Sequence, residues 1–222
     1  MSWIALLSLI AVQTAPSEAL TTAAAEGDRL LSAAGAADLF VNETLSGDGA
    51  ILLRHKASGY RCVLNPGEEL NVVRVYPNPV RGNDVSCTTR TITDARSTYF
   101  TRHTSTAESF LEGGAISIQA RYPNAREVRL RPSEMALANA DIEMPKPLSR
   151  GFETRESYEQ ITLGKEGDWV IKMRFSSAPG SSRMSEIYEQ SWAMVLLEPR
   201  IDEIREKRGL PPIDRTPTPA PQ

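Results

Sequence analysis

The sequence predicts an α+β fold: a single antiparallel β-sheet with two main helices packed on it, preceded by an N-terminal helix and followed by a disordered, proline-rich tail. Three observations predict it. Between residues 51 and 103, short runs that alternate apolar and polar residues are separated by turns rich in Gly, Pro and Asn, as in consecutive antiparallel strands. At 105–121 and 184–197 the apolar spacing lengthens to that of a helix. Between those helices, 156–175 reads as two strands around the turn Gly164-Lys165-Glu166-Gly167-Asp168.

Residues 3–12 (WIALLSLIAV) form an apolar run shorter than the roughly 20 residues that cross a bilayer core. Ser17 and Ala19 fit the small-x-small rule of signal peptidase, which assigns 1–19 to a signal peptide cleaved after Ala19, with Ala15 as the alternative. The segment before the run carries no Lys or Arg, only the Met1 amino group. No stable membrane span is expected after cleavage, because no later stretch is long and apolar enough. Residues 20–45 form an alanine-rich helical segment, with the helix itself expected over about 22–34. Gly27 and Gly35 each weaken it by about 1 kcal/mol relative to alanine. Leu39 and Phe40 are expected to dock this segment onto the domain.

The α+β domain spans 46–209. Ile51–His55 and Tyr60–Leu64 form a hairpin across Lys56-Ala57-Ser58-Gly59, and Asn65-Pro66-Gly67 ends it. Asn71–Tyr76 alternates cleanly and stops at Pro77-Asn78-Pro79, since proline cannot donate to a ladder. Val85–Thr93 and Ser97–His103 follow, completing an antiparallel meander. Ser105-Thr106-Ala107-Glu108 is a capping-box pattern that opens a helix running to about Arg121. Phe110 and Ile118 are its anchors, and Gly113-Gly114 permits close approach to the sheet. Arg126–Arg131 is a short strand. Residues 132–150, with Pro132, Pro145 and Pro147, read as an irregular loop. Glu156–Leu163 and Trp169–Phe175 form the second hairpin. Trp169, Ile171, Met173 and Phe175 are its core face, and Val170, Lys172 and Arg174 its polar face. The helix at 184–197 carries Ile187, Tyr188, Trp192, Val195 and Leu196 and ends at Pro199, and Asp202–Arg208 is a short charged helix. The tail, 210–222, holds five prolines, at 211, 212, 217, 219 and 221, and builds no core.

Cys62 and Cys87 are the only cysteines. Their place in strand-like segments after an export-like start points to one disulfide in an oxidising compartment. Closing a loop of that length is worth about 3–4 kcal/mol in the loop-entropy model. The bridge is expected to tie the Tyr60–Leu64 strand to the Val85–Thr93 strand across Asn71–Tyr76.

The chain has a formal charge of −3 at neutral pH, which argues against nucleic acid as a partner. Charge is nevertheless concentrated: residues 51–131 hold 12 Lys+Arg against 7 Asp+Glu. Arg54, Tyr60, Arg61, Arg74, Tyr76 and Arg102 from this part are read as a contact surface for an envelope protein or an anionic small ligand. No motif for a nucleotide, a cofactor or a nucleophilic serine occurs. The two histidines, His55 and His103, lack metal-ligand spacing and sit beside cations. Glu153, Glu156 and Glu159 recur every three positions, so a strand would not put them all on one face. No catalytic residue, metal site or cofactor is therefore expected.

In its overall pattern the chain is similar to exported proteins of Gram-negative bacteria that have no assigned activity. It also resembles PsbP-like domains over about 50–200. The matching features are Gly59-Tyr60 leading a strand into Pro66-Gly67, the helix near 105–121, and Asp168-Trp169-Val170-Ile171-Lys172-Met173-Arg174 before a terminal helix. The resemblance implies an α/β/α sandwich around an antiparallel sheet. The cysteine pair and the alanine-rich helix depart from that family's pattern, and no functional residue carries over. The sequence thus leads to an exported, non-catalytic binding or accessory protein. A hydrolase with dispersed catalytic residues, or an envelope structural protein, are the competing readings.

Overall fold

In the computed structural model, residues 17–46, 49–68, 70–130 and 148–180 are described, together with 206, 209 and 211. Helix α1 (Glu18–Ala33) starts four residues earlier than expected, because the Ser17 hydroxyl accepts the Leu20 amide and caps it. It ends where Gly35 takes a positive φ of 58°, a conformation that glycine adopts without a Cβ clash. Gly27 lets Asn42 come close: a Cβ there would lie 2.8 Å from Asn42 Nδ2. That amide donates to the Ala24 carbonyl at 2.7 Å and to Asp28 Oδ1 at 2.8 Å, fixing α1 to the first strand.

The strands fall into two antiparallel sheets. The smaller has the order β1 (Phe40–Asn42), β2 (Ile51–His55), β3 (Arg61–Leu64). The larger contains β4 (Val72–Val75), β5 (Asp84–Arg90), β6 (Asp94–Arg102), β7 (Arg126–Val128), β8 (Leu148–Glu153), β9 (Tyr158–Glu166) and β10 (Trp169–Ser177). Its order is β4-β5-β6-β10-β9-β8-β7. Helix α2 (Ala107–Arg121) packs on β8 and β9.

The expected α+β fold, one sheet carrying two packed helices, is therefore wrong: the described chain is mostly β and has two sheets. The physical cause is the connection after β3. Pro66 has no amide to donate, and Gly67 turns the backbone with φ 78°. The loop is then held by α1 rather than by a strand. Glu26 accepts from the Gly67 amide at 2.8 Å and from Asn71 Nδ2 at 2.9 Å. β3 and β4 consequently join different sheets. The unbroken run Ile51-Leu52-Leu53, buried at all three positions, carried the same message, since only a strand covered on both faces buries consecutive residues. The helix expected at 184–197 lies outside the described residues, as do all but single positions of Asp202–Arg208 and the tail.

The disulfide Cys62–Cys87 is present, with a Cα–Cα distance of 5.9 Å. It does not span β4, however. It joins β3 of the small sheet to β5 of the large one, and β4 lies on the outer side of β5. Around it the two sheets share one core. Ile51, Leu53 and Leu64 from the small sheet meet Val85, Phe100 and Met173 from the large one, and Leu30 and Leu31 of α1 complete it. A second core lies on the other face, where Ala115 and Ile118 of α2 meet Phe152, Ile161, Leu163 and Val170.

Further local differences have simple causes. The cap of α2 is Thr106, one residue later than expected, and its hydroxyl accepts from the Ser109 amide at 3.3 Å. Glu108 then sits too early in the first turn to close a capping box. The expected approach at Gly113-Gly114 occurs at Gly114, where a Cβ would come within 1.9 Å of Ile161 Cδ1. β8 emerges from the end of the stretch read as a loop, immediately after Pro147, and β1 is a three-residue strand in the segment read only as docking.

Candidate functional site

The six residues read as a contact surface are not brought together. Arg54 and Arg61 are register partners on β2 and β3, and both donate to one carboxylate. Arg54 Nε reaches Glu43 Oε1 at 2.5 Å and Arg61 Nε reaches Oε2 at 2.6 Å. Burial pushes the Glu43 carboxyl up, but the hydrogen bonds from Arg54 and Arg61 outweigh it and hold it below its ordinary value. These arginines fasten the segment after β1. Tyr60 is only 2% exposed, with its ring 5.8 Å from that of Phe100 in the inter-sheet core. Arg102 pairs with Asp168 at 2.9 Å at the mouth of the β9–β10 turn. Arg74 is exposed on the edge strand β4. Tyr76 follows it, with its hydroxyl 3.1 Å from Ser86 Oγ and its ring 6.4 Å from that of Tyr99.

Register places Arg74, Ser86, Tyr99, Lys172 and Leu163 in one row across β4, β5, β6, β10 and β9. Neighbours in such a row point to the same face. This is the face that carries α2, so Arg74 and Tyr76 share a face with a feature that the sequence reading left out, although neither lines it.

That feature is a groove of ≈ 370 Å³ between α2 and strands β6, β9 and β10. Along α2, Ser109, Gly113 and Ser117 recur every fourth residue and line one wall. None of them is bulky enough to fill it. Phe110, Ile118 and Ile161 supply an apolar floor, and Tyr99, Lys172 and Arg174 form the sheet side. Lys172 Nζ stands 4.3 Å from the Tyr99 ring centroid, over its face. Among the described residues no acceptor hydrogen-bonds this ammonium. Burial and then the charge of Arg174 lower its pKa, with Asp84 opposing them.

Arg174 is partly compensated. Its Nη2 lies 3.5 Å from Glu159 Oε2, too loose for a hydrogen bond of good geometry. Glu159 itself is 1% exposed and takes its hydrogen bonds from serines: Ser157 Oγ to Oε1 at 2.9 Å and Ser176 Oγ to Oε2 at 2.6 Å. The groove therefore presents one cation held against an aromatic face and a second held loosely by an interior carboxylate.

The other candidate groups do not converge. His55 is fully buried at the sheet interface, 5.0 Å from Phe40 and 5.4 Å from Trp169 between ring centroids. Its Nδ1 shares a hydrogen bond with Ser58 Oγ at 2.9 Å, while Nε2 has no well-formed partner. Burial lowers its pKa to about 4, and the nearby Gly82 backbone offsets only part of that, so the ring is neutral at pH 7. His103 is exposed, and its Nδ1 accepts from the Ser105 amide at 3.0 Å. Among the described residues neither histidine faces a carboxylate, and no cluster of three His, Cys, Asp or Glu has metal-binding geometry. Glu153 is paired with Arg126 at 2.7 Å, Glu156 is exposed, and Glu159 lies inside.

Lys172 and Arg174 were visible in the sequence as the polar face of a strand. The missed signal was position: that strand is central, and a helix was expected over the same sheet. No protein-family model and no curated protein matches this chain, so every residue role here rests on its own geometry.

Proposed function

We propose that this is an exported, non-catalytic binding or accessory protein that holds a small anionic ligand in the groove beside α2. The observation that carries this reading is Lys172. Its side chain is half-buried, its ammonium rests on the Tyr99 ring, and it meets no hydrogen-bond acceptor among the described residues. A cation in that state gains from a bound anion more than a hydrated surface lysine does.

Export is supported by the N-terminal apolar run and by the Cys62–Cys87 bridge, which is compatible with an oxidising periplasmic or extracellular location. No helix among the described residues is long and apolar enough to cross a membrane. Ser17 caps α1, so cleavage after Ala15 would keep the cap, whereas cleavage after Ala19 would remove it with part of the first turn. N-terminal sequencing of the exported protein is expected to begin at Leu20, after the Ser17-x-Ala19 pair; a start at Pro16 would keep the cap. A start at Leu20 would show that the capped turn is dispensable.

The binding test is native mass spectrometry of the exported protein beside its Lys172→Glu variant. A small anion retained by the first and absent from the second is expected. Equal retention, or none in either together with no uptake of any added anion, would sink the assignment. Arg61 is a poor probe of the basic face, because its loss removes one of the two arginines that hold the half-buried Glu43. Arg74→Glu tests the rim of the same face without that complication.

A further inference from the structure

Each cation of the groove is faced by a carboxylate, Lys172 by Asp84 and Arg174 by Glu159, so net charge alone selects nothing there. The two carboxylates are placed differently. Asp84 is half-buried on β5 and accepts from the Thr101 hydroxyl at 3.0 Å. Glu159 is interior, 1% exposed, and register sets it directly across from Ser176 and diagonal to Arg174. Hydroxyls donate to both of its oxygens, Ser157 to Oε1 and Ser176 to Oε2. Arg174 Nη2 stands 3.5 Å from Oε2, buried, and makes no well-formed hydrogen bond. At Glu43, by contrast, arginines donate directly to both oxygens. Charge rather than a hydrogen bond therefore holds Nη2 in place. The Arg174 side chain as a whole is 27% exposed, and that exposure belongs to atoms other than Nη2. Among the described residues no acceptor hydrogen-bonds its Nε or Nη1. The guanidinium is a planar, fixed fork of five N–H donors, so holding one nitrogen sets the aim of the rest.

We propose that Glu159 is a positioning residue of the groove: it holds the inner nitrogen of Arg174 and so aims the remaining donors of the guanidinium, beside Lys172, at an oxyanion of the carboxylate or phosphate class. The inference rests on the groove being the binding site, as proposed above. Lys172 and Arg174 are two residues apart on β10, so their side chains leave the same face about 6–7 Å apart, a gap that one oxyanion bridges. Ser157 and Ser176 complete the arrangement. They satisfy Glu159 without adding charge, and so leave Arg174 anchored at one nitrogen instead of closed into a two-pronged pair.

The test follows the Arg174 side-chain resonances of the full chain at pH 7 while acetate or inorganic phosphate is titrated in. In the parent protein a saturable shift is expected with at least one probe, and the probe that binds names the oxyanion. Asp84→Asn removes a negative charge on the Lys172 side, so it should tighten that binding about threefold. Glu159→Gln removes the same charge with little change of shape. It is expected to weaken binding at least about threefold, because the neutral amide no longer holds Nη2 and the fork loses its aim. In an Arg174→Lys background there is no fork to aim, and Glu159→Gln should then tighten binding as Asp84→Asn does. That reversal of sign is a readout that a merely structural role would not move. Glu159→Asp keeps the charge but draws it back by one methylene. It should weaken binding as well, and it serves if the glutamine variant does not fold. Tightening by Glu159→Gln with Arg174 present, or parent-like binding in Glu159→Asp, would overturn the positioning role and leave the groove standing. No saturable shift with either probe would overturn both.

Discussion

The two faces of the large sheet are built from the same strands and are used in opposite ways. β10 shows it within nine residues. Ile171, Met173 and Phe175 enter the core shared with the small sheet, and Lys172 and Arg174 enter the groove beside α2. The inner face is closed by a second sheet, a disulfide and α1, and the imidazole of His55 is held neutral there. The outer face is covered over β8 and β9 by α2 and keeps its charges. Both faces bury polar groups, so burial alone does not mark a site. The difference lies in hydrogen bonding: Arg54 and Arg61 of the small sheet both donate to Glu43, whereas no acceptor among the described residues hydrogen-bonds Lys172.

This contrast predicts a steep hierarchy of effects, beginning on the inner face. Replacing both Cys62 and Cys87 by alanine should remove about 3–4 kcal/mol of stability, read as a drop in the denaturant midpoint that reductant reproduces in the parent protein. A much smaller loss would mean that the two sheets hold together without their staple. Next comes His55. Its folded pKa of about 4 lies below its ordinary 6.5, so the unfolded chain takes up the proton first. Stability is full above about pH 6.5 and declines as pH falls through 4, by about 3 kcal/mol in total. The Glu43 contribution is lost only at lower pH, below the ordinary carboxylate value, because its folded pKa is depressed. Urea titrations across pH 7 to 4 should show the decline in the parent and its absence in His55→Phe.

On the outer face the effects are smaller and differ in sign. Gly114→Ala drives a methyl against Ile161, which is buried and cannot turn away freely. A loss of about 1–2 kcal/mol in thermal melts is expected. Its neighbour Gly113 faces open space, so Gly113→Ala should stabilise by about 0.5–1 kcal/mol through helix propensity alone. If the two glycines respond alike, α2 does not sit on the sheet as described.

Much of the fold was legible locally. The β2–β3 and β9–β10 hairpins, β4, β5, β6 and α2 occupy the stretches that alternation, turns and periodicity indicated, within a few residues. The cysteines pair as their context suggested. What escaped was assembly. Alternation around Val73 and Val75 identifies a strand but not its partner, and only the contacts of Glu26 with Gly67 and Asn71 reveal that the chain changes sheets there. β1 and β7, at three residues each, are too short to show a period. For the site, composition drew attention to the arginine-rich half, whose Arg54 and Arg61 turn out to be structural. Lys172 and Arg174 looked like an ordinary wet face because nothing local says that a helix covers it.

The seam between β6 and β10 has a kinetic consequence. The large sheet consists of two meanders, β4 to β6 and β7 to β10, each made of neighbours in sequence. They meet only along the pairing of Asp94–Arg102 with Trp169–Ser177. Until that long-range ladder zips, each meander carries an open edge with Phe100 or Ile171 beside it, and closing it costs chain entropy before any contact repays it. Closing this one strand pair is therefore expected to limit the folding rate, and weakening its register by Phe100→Ala should slow refolding in stopped-flow measurements. Newly made chains, before that pair closes, are the species most prone to join the edge of a neighbour instead.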